Sequence, residues 1–473
     1  MSERHWINGR RIVERIVVRA DLVLDSPAHF GTGERGDLTD MDLARDALTG
    51  APLLPGTSIA GALRAALHQR EHGYRTAEQR GSATVAKQLF GGSKVDHEGD
   101  QSPLIVDDAI ASSAATLVRD GVMLNAKTRT AAEKAKYDIE LIPAGTTFPL
   151  RFELLLSADH NRDMMLSALF TTLSLLGDGA IALGAKKTRG LGSCHMASWR
   201  VLRYNLRDAA ELVRYLRARD ADELAAPTTD LASALGTPTA IPDQRRTVVL
   251  SFDAVIDGTM LVRGPLGAGA LADAAQLTEG DRVVIPGSSI AGALRARAAR
   301  ILTTIGVNDP LLQAIFGPEQ DKVGKDSTAH AARLMVADAA ITDSTVHIHN
   351  RVAIDRLTGG ALDGALFNEQ PAVGGTTTLT LTLRCDQDEN VVQSPAIGLL
   401  LLLLKDLWTG DLPLGGTISI GRGRLAGRSA TLAIHAPDTK TTYTLTDTPG
   451  FGLDAAQRVE LARYVDALQG ATR

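Results

Sequence analysis

The stretch LPGTSIAGALR at residues 54–64 returns almost unchanged as IPGSSIAGALR at residues 285–295. Pro55 and Pro286 are 231 residues apart, and 231 residues also separate the GLG triplet at 190–192 from the GRG triplet at 421–423. Two unrelated motifs at one spacing indicate that the chain contains two copies of one domain. We therefore expect any function of one copy to occur at two neighbouring places.

Shorter landmarks support the duplication and give its boundaries. LFG at 89–91 matches IFG at 315–317, LIVDDA at 104–109 matches LMVADA at 334–339, and GTT at 145–147 matches GTT at 375–377. The segment between the copies is rich in Pro, Thr and Ala, which is typical of a linker. We predict a first domain at residues 12–224, a linker at 225–245 and a second domain at 246–473.

The apolar pattern within a repeat predicts a mixed α+β fold. Alternating apolar residues at 16–24 and 148–154 predict strands. Helical spacing predicts helices at 58–67, 163–176 and 396–407, with Thr57 or Ser58 as N-cap of the first. Strand, helix, strands, helix, strand is the order of a ferredoxin-like fold, so we predict a tandem duplication of such a domain. Polar insertions at 94–141 and 318–371 interrupt the pattern, and long insertions are often functional.

Composition limits the class of protein. With 473 residues, 44% hydrophobic and 22% charged, the chain reads as a soluble globular protein. The apolar run at 397–404 is too short to cross a bilayer, and the polar residues 1–10 do not resemble a signal peptide. The two cysteines, Cys194 and Cys385, lie at unmatched positions, which predicts neither a disulfide framework nor a zinc site. These features favour the cytoplasm.

Charge and aromatic content restrict how the chain can bind nucleic acid. The formal net charge of −5 argues against a surface covered in positive charge, although a local basic groove remains compatible with it. Aromatic residues make up 4% of the chain, which argues against extensive stacking of bases on aromatic side chains.

The repeated Pro-Gly motif places small polar residues at the start of a helix. Backbone amides at a helix N-terminus attract phosphate, and neighbouring hydroxyls can donate to it. The motif therefore predicts phosphate contacts from Gly56, Thr57, Ser58 and Arg64, and from Gly287, Ser288, Ser289 and Arg295. The competing interpretation is a capped helix that packs through its glycines and alanines.

A second glycine motif carries cations. GAKKTRGLG at 184–192 corresponds to GGTISIGRGR at 415–424. Glycine lets a backbone approach a phosphodiester, and cations neutralise the phosphodiester. We predict such contacts for Lys186, Lys187, Arg189, Gly190, Arg422 and Arg424. The alternative is a tight turn with solvated basic residues.

The order of these motifs resembles a known family. HFG at 29–31, PGTSIAG at 55–61, LFG at 89–91 and a late glycine-rich loop are similar to the RAMP superfamily of CRISPR-associated proteins. NRVAIDRLTGGA at 350–361, followed by GALF at 364–367, resembles the backbone subunits of type III effector complexes. The resemblance covers nearly the whole chain, once per repeat, and is greatest to the form with two fused backbone subunits.

The resemblance implies an RNA-binding function. It implies an RRM-like palm that holds guide RNA (crRNA), and thumb hairpins within 94–141 and 318–371 that displace a nucleotide of the guide–target duplex. The implied partners are guide RNA, single-stranded target RNA, other RAMP subunits and the large subunit of a type III complex. Further RNA contacts are predicted at His29, Lys127, Arg129, Arg351 and Arg356. A satisfied, partly buried histidine and solvated surface cations are the alternatives.

Some family members also cut target RNA, with a loop aspartate and a divalent metal, Mg²⁺ or Mn²⁺. That loop precedes the Pro-Gly helix and holds Asp37, Asp40, Asp42 and Asp46 in the first repeat, and Asp273 in the second. The family pattern places Asp40 at the catalytic position. Ungapped counting from the prolines instead pairs Asp273 with Asp42, and a gap of two residues restores Asp40.

The predicted catalytic residues are therefore Asp40, Asp42 and Asp273, with Asp40 and Asp273 as metal ligands. A lone carboxylate can orient the 2′-hydroxyl or hold Mg²⁺, which needs only one or two carboxylates beside the substrate phosphate. The products would be a 2′,3′-cyclic phosphate and a 5′-hydroxyl. For any one loop aspartate the alternative is solvation or turn capping.

Three other functions compete with this interpretation. A non-catalytic scaffold that only binds guide and target RNA would carry the same binding motifs. A histidine-based guide-processing ribonuclease is disfavoured, because the second repeat has Leu261 where the first has His29. A dinucleotide-binding enzyme is suggested only by GTGERG at 31–36, which lacks the required strand–helix–strand context.

Overall fold

The structure is a computed structural model that describes residues 11–33, 39–78, 83–92, 101–125, 128, 130–218, 226–266, 272–307, 309–318, 330–387 and 394–470. Three of the residues considered above, Asp37, Lys127 and Arg129, lie outside these ranges.

An antiparallel four-stranded sheet forms the centre of the first repeat. In spatial order its strands are Leu104–Val106, Thr147–Ser157, Ile12–Leu24 and Cys194–Asn205. The even-numbered residues from Ile16 to Leu24 are buried against helices Gly56–His72, Val85–Phe90 and Arg162–Gly177. The period of two in the sequence therefore corresponds to one buried sheet face, where each large apolar side chain contributes roughly 1.5–3 kcal/mol.

The second repeat has the same core sheet with extra strands. Its strands, in spatial order, are Thr278–Glu279, Arg282–Ile285, Ala339–Thr342, Thr376–Cys385, Arg246–Asp257, Arg424–Ala436 and Thr439–Thr446, and Leu334–Val336 also pairs with Thr376–Cys385. Its helices are Gly287–Ile305, Asp309–Phe316, Pro395–Trp408 and Ala455–Gly470. The predicted α+β tandem duplication is therefore confirmed.

The apolar run at 397–404 lies in the buried helix Pro395–Trp408. Its one glycine, Gly398, allows the C-terminal helix to approach closely, because a Cβ there would collide with the carbonyl oxygen of Tyr464. Within the described ranges, no helix is long and apolar enough to cross a membrane.

Each polar insertion contains a two-stranded hairpin. The first hairpin pairs Leu117–Leu124 with Ala131–Leu141, and the second pairs His349–Ile354 with Ala361–Gln370. A short strand, Ala274–Ala275, runs parallel to the second hairpin. The remaining short strands are Leu53–Leu54, Ala109–Ile110, Thr259–Met260, Thr345–Val346 and Ala372–Val373.

The segment between the repeats packs on the first repeat. After helix Ala209–Arg217 it forms the short helix Leu231–Ala234. The amide of Ile241 donates to Thr171 Oγ1 at 2.8 Å, and Arg70 donates to the Ile241 carbonyl at 2.7 Å and to Asp243 at 3.1 Å. These bonds anchor the described part of the linker to helices of the first repeat.

Candidate functional site

The loop aspartates Asp40 and Asp273 occupy the same position in the two repeats. Both are exposed and lie at the base of a hairpin. The Asp138 amide donates to Asp40 Oδ2 at 3.1 Å, and the Asn368 amide donates to Asp273 Oδ2 at 2.7 Å. The next residue along each loop, Met41 or Ala274, pairs in parallel with the next residue of the hairpin strand. Asp273 is therefore the structural equivalent of Asp40.

A longer turn in the first repeat explains the two-residue gap. Asp46 and Ala51 flank a turn of four residues, because the Asp46 amide donates to the Ala51 carbonyl at 2.9 Å. The corresponding turn of the second repeat has two residues, between the paired Glu279 and Arg282. Since the extra residues lie after the aspartates, ungapped counting from the proline shifts the comparison from Asp40 to Asp42.

The other two described aspartates of this loop stabilise the loop itself. Asp42 Oδ1 accepts a hydrogen bond from the Thr39 hydroxyl. Asp46 Oδ2 accepts bonds from the Thr49 amide at 2.8 Å and the Thr49 hydroxyl at 2.7 Å. These bonds from Thr49 lower the pKa of Asp46. Asp46 therefore caps a turn, as the alternative interpretation predicted.

The surroundings of the two equivalent aspartates differ in charge. In the first hairpin, Asp120 lies opposite Asp138, and in the second, Asn350 lies opposite Asn368. A hydrogen bond with Asp120 raises the pKa of Asp138, and the negative charges of Asp120 and Asp40 add to this effect. The first repeat thus gathers three carboxylates where the second has one carboxylate and two amides.

The part of the chain that the structure describes contains no group of three or more His, Cys, Asp or Glu side chains that could hold a metal ion. Any metal at Asp40 or Asp273 would therefore need ligands beyond the described side chains, such as substrate phosphate and water.

A distant carboxylate caps the first Pro-Gly helix. The helix begins at Gly56 with Pro55 as N-cap, and the Gly56 amide donates to Asp108 Oδ1 at 2.6 Å. The prediction that Thr57 or Ser58 caps the helix is therefore wrong, because the carboxylate satisfies the first amide and opposes the positive end of the helix.

The second Pro-Gly helix has the same cap. The Gly287 amide donates to Asp338 Oδ1 at 2.7 Å. Gly56 and Gly287 are both buried, and a Cβ at either would collide with a backbone carbonyl of the strand that precedes the capping aspartate. The hydroxyl residues after them remain exposed or partly exposed: Thr57, Ser58, Ser288 and Ser289.

The arginines of the Pro-Gly helices bind the Phe-Gly motifs. Arg64 donates to the Gly91 carbonyl at 2.9 Å and pairs with Glu78, and Arg295 donates to the Gly317 carbonyl at 2.6 Å. This contact explains why the two motifs recur together, and it assigns both arginines a structural role.

The first glycine loop, residues 184–192, lies against the second repeat. A Cβ at Gly190 would collide with Asp338, and a Cβ at Gly287 would lie 2.9 Å from the Arg189 carbonyl oxygen. The Arg189 guanidinium donates to the Phe316 carbonyl at 3.3 Å. The loop is thus part of the joint between the repeats.

Five of the predicted RNA contacts lie at buried positions. Gly56, Gly190 and Gly287 are buried in the contacts just described. His29 is 3% exposed, and its Nδ1 donates to the Glu140 carbonyl at 2.8 Å. Arg422 is 1% exposed and pairs with buried Glu369 at 2.9 Å. All five residues therefore make contacts within the protein in this structure.

The remaining predicted cations are accessible to different extents. Lys186 donates to the Tyr137 hydroxyl at 2.6 Å and lies over the Tyr137 ring. Lys187, Arg356 and Arg424 are exposed, and Arg351 is partly exposed and pairs with Glu369 at 2.8 Å.

The joint brings cations of the two repeats together. Although the Lys187 side chain reaches solvent, the protein around its amine partly desolvates it and lowers its pKa, and the charge of Arg384 from the second repeat lowers it further. Burial likewise lowers the pKa of Arg189, and Arg295 adds to the effect. Among the described residues, no carboxylate pairs with Lys187 or Arg189. A phosphate near these cations would relieve their mutual repulsion.

The sequence motifs do not predict the roles of Arg119, Asp108 and Asp338 in joining the repeats and capping the Pro-Gly helices. Arg119 lies in an insertion without a helical or strand pattern. The two aspartates stood in the landmarks at 104–109 and 334–339, which served only as markers of duplication. The equivalent positions of Asp108 and Asp338 in these landmarks are the sequence signal for their shared capping role.

Comparison with known proteins agrees with the duplication. A model of the RAMP superfamily matches the chain twice, over residues 21–195 and 261–426. Each range contains one of the two equivalent aspartates, Asp40 or Asp273, together with one Pro-Gly helix and one glycine loop. A search of curated proteins finds no significant match.

Proposed function

Because the chain belongs to the RAMP superfamily in both of its repeats, we propose that it is a double backbone subunit of a type III CRISPR RNA-guided effector complex. In this proposal, the cytoplasmic complex contains guide RNA, other RAMP subunits and a large subunit, and it binds complementary single-stranded RNA. The domains at 12–224 and 246–473 each hold one segment of the guide.

The equivalence of Asp40 and Asp273 carries the catalytic part of the proposal. Each is an exposed carboxylate, oriented through Oδ2 by a hairpin amide, and the described residues donate no hydrogen bond to Oδ1. A hairpin that displaces a nucleotide would hold the scissile phosphate next to this carboxylate. Such a carboxylate can orient the 2′-hydroxyl for attack and accept its proton.

The proposed reaction is an internal transesterification. The 2′-oxygen forms a bond to phosphorus as the bond from phosphorus to the 5′-oxygen breaks, and the 5′-oxygen leaves as a hydroxyl. Single exposed carboxylates suit Mg²⁺ or Mn²⁺ shared with an RNA phosphate, and Asp40 and Asp273 would hold it. When bound, the ion supplies charge stabilisation to the pentacoordinate phosphorus.

Cleavage of target RNA by the assembled complex tests this proposal. We expect Asp40→Ala and Asp273→Ala each to remove one set of product bands, because each removes one carboxylate. Asp42→Ala is the matched control from the same loop and should keep both sets. If Asp40→Ala and Asp273→Ala leave every band intact at saturating Mg²⁺, the catalytic assignment fails and a non-catalytic scaffold is the better description.

Salt dependence tests the RNA grip separately. If phosphates dominate binding, the logarithm of the binding constant should fall with the logarithm of salt concentration, by roughly 0.7 per contacted phosphate. Replacing exposed Lys187 or Arg424 by Gln should reduce that slope, whereas Arg64→Gln should leave it unchanged, because Arg64 binds Gly91 and Glu78. Binding that does not change with salt would contradict the proposed contacts.

A further inference from the structure

The joint between the repeats is formed by an arginine and a glycine turn on a pair of carboxylates. Arg119 of the first hairpin pairs with Glu279, and with Asp338 at 3.3 Å, and these three side chains are at most 10% exposed. Beside them, Gly190, at a φ of +95°, places its backbone directly against Asp338. This contact shows what the start of a Pro-Gly helix in this chain can bind.

The first repeat carries the same pair of carboxylates. Asp108 caps Gly56 as Asp338 caps Gly287. Asp46 corresponds to Glu279, because each pairs across the turn with a residue four positions before the proline, Ala51 or Arg282. We call the area around Asp46 and Asp108 the acidic docking surface.

The acidic docking surface has no occupant within the chain. Asp108 is exposed, whereas the Asp338 side chain is 8% exposed under Arg119. No cation of the described residues pairs with Asp46 or Asp108. The surface therefore has carboxylates at the two positions of the second-repeat surface but lacks its arginine, and Asp46 is bonded to Thr49 of its longer turn instead.

The second repeat has a glycine turn that corresponds to the one at Gly190, but it lacks arginines at the positions of Arg119 and Arg189. Thr417 and Lys186 share a φ of +53°, and Gly421 matches Gly190 but has nothing within 4 Å of its Cβ position. At the position of Arg189 stands Ile420, which is 51% exposed. At the position of Arg119 in the hairpin register stands His349.

A second copy of this chain therefore offers poor charge complementarity to the acidic docking surface. Histidine lacks the permanent charge and the five donors with which arginine binds two carboxylates at once. Isoleucine cannot donate to the carbonyl that corresponds to Phe316.

We propose that the acidic docking surface binds a separate protein subunit that presents an arginine beside a glycine turn, and that copies of this chain do not stack on one another. The proposal does not depend on RNA cleavage, since neither Asp46 nor Asp108 is a predicted catalytic residue. It identifies the partner by the chemistry that Arg119 and Gly190 already supply inside the chain.

A gain of self-assembly in the full chain tests the proposal. His349→Arg with Ile420→Arg gives the second repeat the two arginines that the first repeat uses at the joint. We expect the wild-type chain to sediment as a monomer and this double variant to form a concentration-dependent series of linear oligomers in sedimentation velocity, because head-to-tail contacts do not close. The matched control, His349→Gln with Ile420→Gln, should stay monomeric.

Two further variants make the result decisive. Adding Asp46→Asn and Asp108→Asn to the double arginine variant should restore the monomer, and salt should weaken the oligomers. If the double arginine variant is misfolded by circular dichroism, His349→Arg alone provides the same test at higher concentration. A folded arginine variant that stays monomeric, oligomers that persist without the two aspartates, or stacking of the wild-type chain would each overturn the proposal.

Discussion

Single residues at matched positions can make the same contact with different chemistry. Arg422 and Glu369 form a buried ion pair in the second repeat, with side chains 2% and 4% exposed. At the matching positions of the first repeat, Leu191 and Ile139 share a small apolar cluster. Burying two charges costs several kcal/mol before their attraction is counted, so the two solutions can be close in free energy.

Exchanging this pair for its apolar counterpart tests that idea. We expect Glu369→Ile with Arg422→Leu to leave the free energy of unfolding unchanged or increased, measured by urea denaturation. Arg422→Leu alone should cost about 3–5 kcal/mol, because it leaves buried Glu369 with only the partly exposed Arg351. If the costs of the two single changes add up to the cost of the double change, the two residues are not coupled and the idea is wrong.

At the scale of elements, each Pro-Gly helix depends on a cap supplied by a strand end about 50 residues away. Gly56 and Asp108 in the first repeat, and Gly287 and Asp338 in the second, make the same bond. The helix and the sheet are thereby joined at one point, and the glycine permits the close approach of the two backbones.

Removing each capping carboxylate should have unequal effects. Asp108→Ala should lower the free energy of unfolding by about 1 kcal/mol, the usual value of a helix cap. Asp338→Ala should cost about 3 kcal/mol or more, because it also removes a partner of buried Arg119. Equal losses in thermal denaturation would show that Arg119 does not depend on Asp338.

The linker contributes a pH-dependent anchor. Burial alone would raise the pKa of Asp243, but the hydrogen bond and charge of Arg245, with the charge of Arg70, outweigh it and lower the pKa below 3.8. A lowered pKa in the folded state adds stability above the unfolded value, and this stability is lost as the pH falls through the folded value. Asp243→Asn should therefore lower the free energy of unfolding at pH 7 by at most about 1 kcal/mol. This loss should be visible as a lower melting temperature.

The difference between wild type and Asp243→Asn should shrink when the pH falls below 3.8. This difference is measured from the melting temperatures of both proteins, from pH 7 down to the lowest pH at which both still fold. A difference that stays constant or grows towards acid pH would rule out the proposed sign.

For the whole molecule, the joint decides whether two repeats behave as one body. Arg119 neutralises Glu279 and Asp338, whose pKa values burial raises. Without the arginine, two buried carboxylates of the second repeat would face the first repeat with no partner, which is costly.

Arg119→Met should therefore separate the unfolding of the repeats. We expect a loss of about 3–5 kcal/mol at neutral pH and two calorimetric transitions in place of one. Because both carboxyls have raised pKa values, acid pH should protonate them and restore part of the lost stability. Lys136→Met, which removes only an exposed pair with Asp120, is the matched control and should keep a single transition.

The amino-acid sequence alone predicts the duplication, the α+β class and those helices and strands that have a clear apolar period. These depend on local spacing: the pattern of alternation predicted the strand over 16–24, and the structure extends it only to Ile12–Leu24. The predicted helix at 396–407 differs from Pro395–Trp408 by one residue at each end. Local periodicity suffices there because each element buries one face.

Contacts between distant segments establish which loop aspartates correspond, which cations are buried and which glycine loop joins the repeats. Asp40 aligns with Asp273 through hairpin residues about 100 positions away, and a turn with two extra residues hides this from counting. Arg189 and Arg422 both read as basic loop residues, yet one contacts the other repeat and one pairs with Glu369. The reason is physical: burial and charge pairing arise between distant segments that meet only when the chain is folded.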